Sequence, residues 1–401
     1  MVAACAYHDA VIVPQGGNTG LVGGSVPRAQ SQRTQVVLSL ARLNQLAPVD
    51  VTAAQVTVGA GVTIADLHAH AADAGFSYGV DLAARASATV GGTIATNAGG
   101  IRVVRHGATR EQVAGIEAVL ADGSIISRLS GLAKDNVGYD LPGLLVGSEG
   151  TLAVVTRARM RLVKEPEHRV VALLAIGSVA DAVAVYMRLR DYLDVIEAVE
   201  YIEHPGVELV VETGARRPFA ADHPAYLLVE VAGRTDPTPA LAEAVADAPE
   251  IRDAAVARDK PNREQLWRLR EGHTVAIGRL GVPHKLDVAL PLAELASFRS
   301  QLDAAVEAAA PGARTVVFGH VGDGNLHVNV VGPAPDDDAV DAAVFSLVAA
   351  HRGSISAEHG IGVHKAPYVS LGRNDADVAA MRALKQALDP QGILNPGVLF
   401  R

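Results

Sequence analysis

Pro14-Gln15-Gly16-Gly17-Asn18-Thr19-Gly20-Leu21-Val22-Gly23-Gly24 is the densest glycine tract in the chain. Glycines permit left-handed turns and close backbone approach, so successive N–H groups can curl into an anion-binding nest suited to a diphosphate. The tract does not match G-x-G-x-x-G, and no Gly-Lys-Ser/Thr follows it, which sets aside the dinucleotide fingerprint and the P-loop. Two further stretches share its character: Ala88-Thr89-Val90-Gly91-Gly92-Thr93-Ile94-Ala95-Thr96-Asn97-Ala98-Gly99-Gly100 and Gly147-Ser148-Glu149-Gly150-Thr151. One such loop alone reads as a tight turn. Three, interleaved with Thr, Ser and Asn in a region without a catalytic constellation of its own, point to a nucleotide cofactor.

Around these loops, 401 residues are too many for one ordinary core and predict two domains. A hydrophobic fraction of 49% with 20% charged residues is that of a globular protein, and 4% aromatics leave the core to Ala, Val and Leu. The net charge of −9, with no Lys/Arg cluster, argues against a nucleic-acid binder. The single cysteine, Cys5, excludes an internal disulfide and a Cys-based zinc site. No apolar run reaches the roughly 18 residues of a membrane span, and Met1–Val13 lacks the features of a secretory signal, so a cytoplasmic location is expected.

The first 165 or so residues are glycine-punctuated and strand-rich. Thr63–Ala74 reads as a helix capped by Thr63 and stopped by Gly75, with Ile64, Leu67 and Ala71 on one stripe. Val113–Ser127 reads as a hairpin turning at Asp122-Gly123, and Thr151–Val163 as one long strand or a strand pair. From about Val170, strands alternate with amphipathic helices, including one helix over Arg263–Leu280, as expected of an α+β domain with a largely antiparallel sheet.

Within that second region, Phe318–Asn329 reads F-G-H-V-G-D-G-N-L-H-V-N. Asp-Gly between β-rich runs is a strong hairpin signal. With Asp323 and Gly324 as the turn residues, Gly322 pairs with Asn325, Val321 with Leu326 and His320 with His327, and Asn329 shares the histidines' face. Two imidazoles and an amide on one face are the start of a metal site or of an acid/base pair. A hairpin whose histidines merely pack is the plainer alternative. Ala357-Glu358-His359-Gly360 adds a further candidate ligand or base.

Taken together, P-Q-G-G-N-T-G-L-V-G-G, A-T-V-G-G-T-I-A-T-N-A-G-G, K-D-N-V-G-Y-D-L-P-G-L-L-V-G-S-E-G-T-L, G-H-V-G-D-G-N-L-H-V-N, S-I-S-A-E-H-G-I-G and L-D-P-Q-G-I-L-N-P-G resemble the FAD-linked oxidases of the vanillyl-alcohol oxidase fold. The D-2-hydroxyacid dehydrogenases are the nearest group. The resemblance implies an α+β, two-domain flavoprotein of the vanillyl-alcohol oxidase/PCMH type. An FAD-binding domain would span 1–165, a substrate (cap) domain 166–385, and a C-terminal segment, 386–401, would return to the flavin domain. Relatives of this kind carry some tens of residues before the first glycine loop, whereas thirteen precede Pro14, so the flavin domain is expected to be N-terminally short.

By the same resemblance, Gly16, Gly17, Asn18, Thr19, Gly20 and Leu21 wrap the FAD diphosphate, while Ser87, Thr89, Gly92, Asn97 and Gly100 line the flavin. Gly147, Gly150, Val154 and Asn395 also contact the cofactor. His320, His327 and Glu358 match ligands of a divalent metal, zinc or manganese, and His359 matches the general base. Asn329 matches a substrate contact, and Arg270, Thr274 and Lys285 match residues that hold substrate carboxylate. Arg has the planar fork that fits a carboxylate bidentately. At Arg105-His106-Gly107 the family pattern has Tyr before the glycine.

The expected activity is oxidation of a D-2-hydroxyacid to the 2-oxoacid, with D-2-hydroxyglutarate favoured because Arg270 and Lys285 supply two cations. D-lactate and glycolate are alternatives of the same class; a metal-dependent hydrolase or an inactive accessory flavoprotein subunit are alternatives of other classes. The electron acceptor expected is an electron-transfer flavoprotein, a quinone or a cytochrome. Oligomeric state is left open, a homodimer included.

Overall fold

A computed structural model describes residues 1–29 and 31–400. The chain divides into two compact units, one made of Met1–Glu165 with Glu358–Arg401 and the other of Pro166–Ala357. The return to the first unit thus begins at Glu358, ahead of the expected 386. Distant partners hold it there: Val363 donates to the Val22 carbonyl (2.9 Å), and Ile361 and Gly362 both donate to the Glu149 carboxylate (2.8 Å each). No helix among the described residues is long and apolar enough to cross a membrane.

In the first unit, Val11–Gln15 and Gln35–Ser39 pair in parallel. The C-terminal segment joins them, with Ile12 donating to Ile393 and Asn395 to Ile12. A four-stranded antiparallel sheet runs in the order Gln55–Gly59, Val154–Arg161, Val113–Val119, Ile125–Arg128. The Asp122-Gly123 turn joins the last two; Gly123 adopts φ 86° and Asp122 accepts from the Ser124 N–H at 2.8 Å. Thr63 caps the Ile64–Asp73 helix, whose buried stripe is Ile64, Leu67 and Ala71. The second glycine tract is partly helical: Thr89 caps Val90–Thr96 by accepting from the Gly92 N–H (3.3 Å), and Asn97 ends it in the left-handed region.

The second unit is a seven-stranded sheet in the order Asp253–Ala257, His168–Ile176, Ala225–Gly233, Ile196–Glu203, Arg314–His320, Asn325–Val331, His284–Ala289. Every neighbouring pair is antiparallel. Val179–Tyr192, Thr238–Ala246, Leu295–Ala309 and Ala339–Ala350 form one group of helices; His204–Glu212, Lys260–Glu271 and His273–Gly278 form another. Successive strand residues face opposite sides. His284, bonded to Asp341 of the Ala339–Ala350 helix (2.8 Å), therefore faces away from Asp287.

Two expectations are corrected here. The expected Arg263–Leu280 helix is two helices broken at Gly272, where an added Cβ would lie 2.7 Å from Val210 Cγ1. The hairpin register also differs. Val321–Asp323 forms a 3₁₀ turn ended by Gly324 at φ 81°, and Phe318, rather than His320, opposes His327. His320 instead pairs with Glu200 on the neighbouring strand. A shift of two residues preserves side-chain parity, so His320, His327 and Asn329 still share one face.

Candidate functional site

Each unit carries part of the expected residue set. In the first, the three glycine loops lie against one another. A Cβ on Gly17 would fall 1.7 Å from the Ser87 carbonyl oxygen, and one on Gly16 would fall 2.3 Å from Thr89 Oγ1. The third tract is tied to the helix of the second, Gly147 donating to Ile94 (2.9 Å) and Glu149 to Ala95 (2.8 Å). Only glycine allows the first two tracts to approach this closely.

Beyond that contact the chain opens. Asn18, Thr19, Gly20 and Leu21 are exposed, Asn18 sits at φ 53°, and the N–H groups of 18–20 donate to no protein acceptor among the described residues. Unused N–H groups beside a left-handed residue are what an anion-binding nest requires, so this rim fits a diphosphate.

Asn395, at φ 44°, donates through Nδ2 to the carbonyls of Gly24 (2.9 Å) and Glu149 (2.8 Å), bringing the tail onto the first and third tracts. Burial pushes the Glu149 carboxyl above its ordinary range, against the pull of its two N–H donors. Glu358 accepts from the Gly100 N–H at 2.5 Å, and Gly100 itself needs φ 117°. Val154 opens its strand fully buried, Gly92 lies in the first turn of the Val90–Thr96 helix, and Asn97 Oδ1 accepts from the Arg110 N–H. Gly150 lies against Pro14, and Ser87 is exposed. His359 belongs to this unit as well.

In the second unit, one face of the sheet gathers Glu200, His320, His327, Asp287, Asn329 and Lys285, through the register pairs Glu200 with His320, Asp287 with His327 and Lys285 with Asn329. His320 and His327 meet edge to face, with Nε2 atoms 3.3 Å apart. Each Nδ1 faces a fully buried carboxylate: His320 faces Glu200 Oε1 at 2.6 Å and His327 faces Asp287 Oδ1 at 3.4 Å. A carboxylate on Nδ1 keeps the proton there and leaves Nε2 as a lone pair. With Nε2 of His320 unprotonated, the 3.3 Å contact is either an N–H···N bond from His327 or the gap that a shared cation would fill. Two nitrogens about 2.0–2.1 Å from one tetrahedral ion stand about 3.3–3.4 Å apart. The pair therefore has the donor chemistry and the spacing to hold a divalent metal.

Arg270 leaves its helix to donate through Nε to Glu200 Oε2 (2.6 Å), with its guanidinium 4.5 Å from the Phe318 ring centre. Burial opposes ionisation of Glu200, but His320 and Arg270 together outweigh it and hold the carboxyl below its ordinary range. The half-buried Lys285 has no hydrogen-bond or ion-pair partner among the described residues. Asn329 donates weakly to the carbonyls of Val316 and His327 (3.4 and 3.3 Å). Thr274 is exposed and lies past the Gly272 break, on a different helix from Arg270.

Sequence reasoning missed Glu200 and gave Asp287 no role. Asp287 lies two residues past Lys285, whereas nothing local marked Glu200, 120 residues before His320.

His273, buried between Phe318 and the Arg270 carbonyl, is held neutral, burial lowering its pKa from 6.5 to about 3. The unfolded chain binds this proton first, so the associated stability is fully present above pH 6.5 and is lost as the pH falls towards 3. Replacing His273 by Leu should flatten the unfolding free energy across that window by up to about 1.4 kcal/mol per pH unit. Urea unfolding at a series of pH values checks this, and an unchanged slope counts against it.

A family model described as "FAD linked oxidases, C-terminal domain" matches residues 165–399, and one described as "FAD binding domain" matches residues 1–128. A D-2-hydroxyglutarate dehydrogenase of Xanthomonas citri pv. viticola is 40% identical over 97% of this chain and 84% of its own length. The mitochondrial D-2-hydroxyglutarate dehydrogenase of Bos taurus is 36% identical over 98% and 73%. Among solved structures, p-cresol methylhydroxylase with substrate bound matches with a TM-score of 0.77 at 17% identity, covering 99% of this chain and 85% of that one. That last likeness establishes the fold: two domains of mixed helix and antiparallel sheet.

Proposed function

The chain belongs to the FAD-linked oxidase family, and on that premise we propose that it oxidises a D-2-hydroxyacid, D-2-hydroxyglutarate in the first instance, with the help of a divalent metal. The observation that carries the proposal is the pair of Nε2 atoms 3.3 Å apart, each imidazole backed by a buried carboxylate. When bound, FAD supplies the hydride acceptor and the divalent ion supplies the Lewis acidity that lowers the pKa of the substrate hydroxyl.

The protein's own residues do the rest. His320 and His327 hold the ion, and Glu358 is proposed as a further ligand on its motif. Arg270 and Lys285 offer separate cations for the two carboxylates of a diacid, and Asn329 a hydrogen bond between them. His359, also proposed on its motif, takes the hydroxyl proton as C2 loses its hydride. The chain around Gly16–Leu21 holds the cofactor's diphosphate.

Turnover of D-2-hydroxyglutarate, D-malate, D-lactate and glycolate with a dye acceptor, with and without chelator, tests the proposal. The diacids should be preferred, and chelator should abolish bleaching of the flavin. Faster turnover of D-lactate than of either diacid overturns the substrate choice; bleaching indifferent to chelator overturns the metal.

A further inference from the structure

Glu200 sits fully buried on the central Ile196–Glu203 strand and divides its two oxygens between different partners. Oε1 faces His320 Nδ1 and Oε2 accepts from Arg270 Nε, both at 2.6 Å. Beside it on the same face, Leu228 opposes Glu200 on one neighbouring strand and His320 on the other, and Ile202 lies two residues along its own strand. Burying a carboxylate here is costly unless both oxygens are satisfied, and an apolar residue would fill the place at least as stably.

We propose that Glu200 is a positioning residue that sets two things at once, the tautomer of His320 and the aim of Arg270. One carboxylate thereby links cation binding at the histidine pair to carboxylate binding at the arginine. This rests on the function proposed above.

The isosteric change Glu200→Gln separates the role from mere packing. Arg270 Nε can only donate, so the amide oxygen must face Arg270 and the amide nitrogen must face His320. Nδ1 of His320 then has to accept, the ring proton moves to Nε2, and the nitrogen that would bind metal is blocked. Glu200→Asp keeps the charge but is one methylene too short to reach both partners.

The test uses the FAD-loaded protein, stripped of metal and titrated with Mn²⁺ alone, and then D-2-hydroxyglutarate turnover at saturating Mn²⁺. Glu200→Gln should weaken Mn²⁺ binding by about 10–100-fold and raise KM at saturating metal, with flavin absorbance retained. Glu200→Asp should show a smaller loss of both. If the parent protein binds Mn²⁺ and Glu200→Gln binds it equally well, the role of Glu200 is overturned while the metal site stands. If the parent itself binds no Mn²⁺, it is the proposed function that fails. Should Glu200→Gln not fold, Glu200→Asp decides: metal affinity and KM weakened together support the linkage, and a change in KM with metal affinity untouched overturns it.

Discussion

His320→Ala should purify yellow, with FAD in place, and lose turnover of the 2-hydroxyacid by about 10³-fold, equivalent to about 4 kcal/mol of transition-state stabilisation. The residue contributes one of two nitrogens 3.3 Å apart, and its removal leaves His327 as the one imidazole of the pair. A single imidazole cannot define the geometry of a bound ion, and added metal should not restore activity. The loss should therefore appear both in metal content and in kcat, while flavin absorbance stays unchanged. Because Glu200 loses a partner but keeps Arg270 at 2.6 Å, the fold should survive with reduced stability. Thermal unfolding of the variant separates that effect from the catalytic one. Turnover within a few-fold of the parent, in a protein of matching metal content, would sink the assignment.

Gly17→Ala should have the largest effect on the flavin unit. The new methyl would be placed 1.7 Å from the Ser87 carbonyl oxygen and 3.2 Å from the Ala88 nitrogen, and both are main-chain atoms. A flexible side chain could swing aside, but main chain cannot without separating the first two glycine tracts. Overpacking against soft neighbours costs about 1–3 kcal/mol, so a main-chain clash should exceed about 3 kcal/mol. The variant should unfold at a markedly lower temperature and elute without FAD. Gly20→Ala is the contrast, because no atom lies within 4 Å of the added Cβ. Its Tm should stay close to the parent's, and equal losses in the two variants would show that the close approach at Gly17 does not matter.

The parts of the molecule legible in the sequence are those governed by local chemistry. Thr63 before an apolar stripe gave a capped helix, Asp122-Gly123 gave a hairpin, and the glycine tracts foretold close main-chain approaches. Where a local preference competed with a distant partner, the distant partner won. Asp323-Gly324 favoured a two-residue turn, but His320 pairs with Glu200 on another strand and the turn lengthens to accommodate it. The Gly272 break answers to Val210, which no reading of the helix alone includes.

The candidate site divides in the same way. The histidines, Arg270 and Lys285 were legible as residue types that hold ions and carboxylates. The carboxylates that orient them were not, because Glu200 and Asp287 acquire their roles only when strands far apart in sequence become neighbours. The same distance explains the early return at Glu358: Glu149 holds the 361–362 turn from more than two hundred residues away.

Ile12 lies between the main-chain groups of Ile393 and Asn395, so the first parallel strand pair is completed by residues made long after it. Pro166–Ala357, by contrast, is one unbroken length of chain. On a ribosome adding about 5–20 residues per second, that length takes on the order of ten to forty seconds to emerge. During this time Ile12, Val13 and the first glycine tract wait with an unfinished edge. The strand pairing at Ile12 can therefore be completed only after the whole of Pro166–Ala357 has been made.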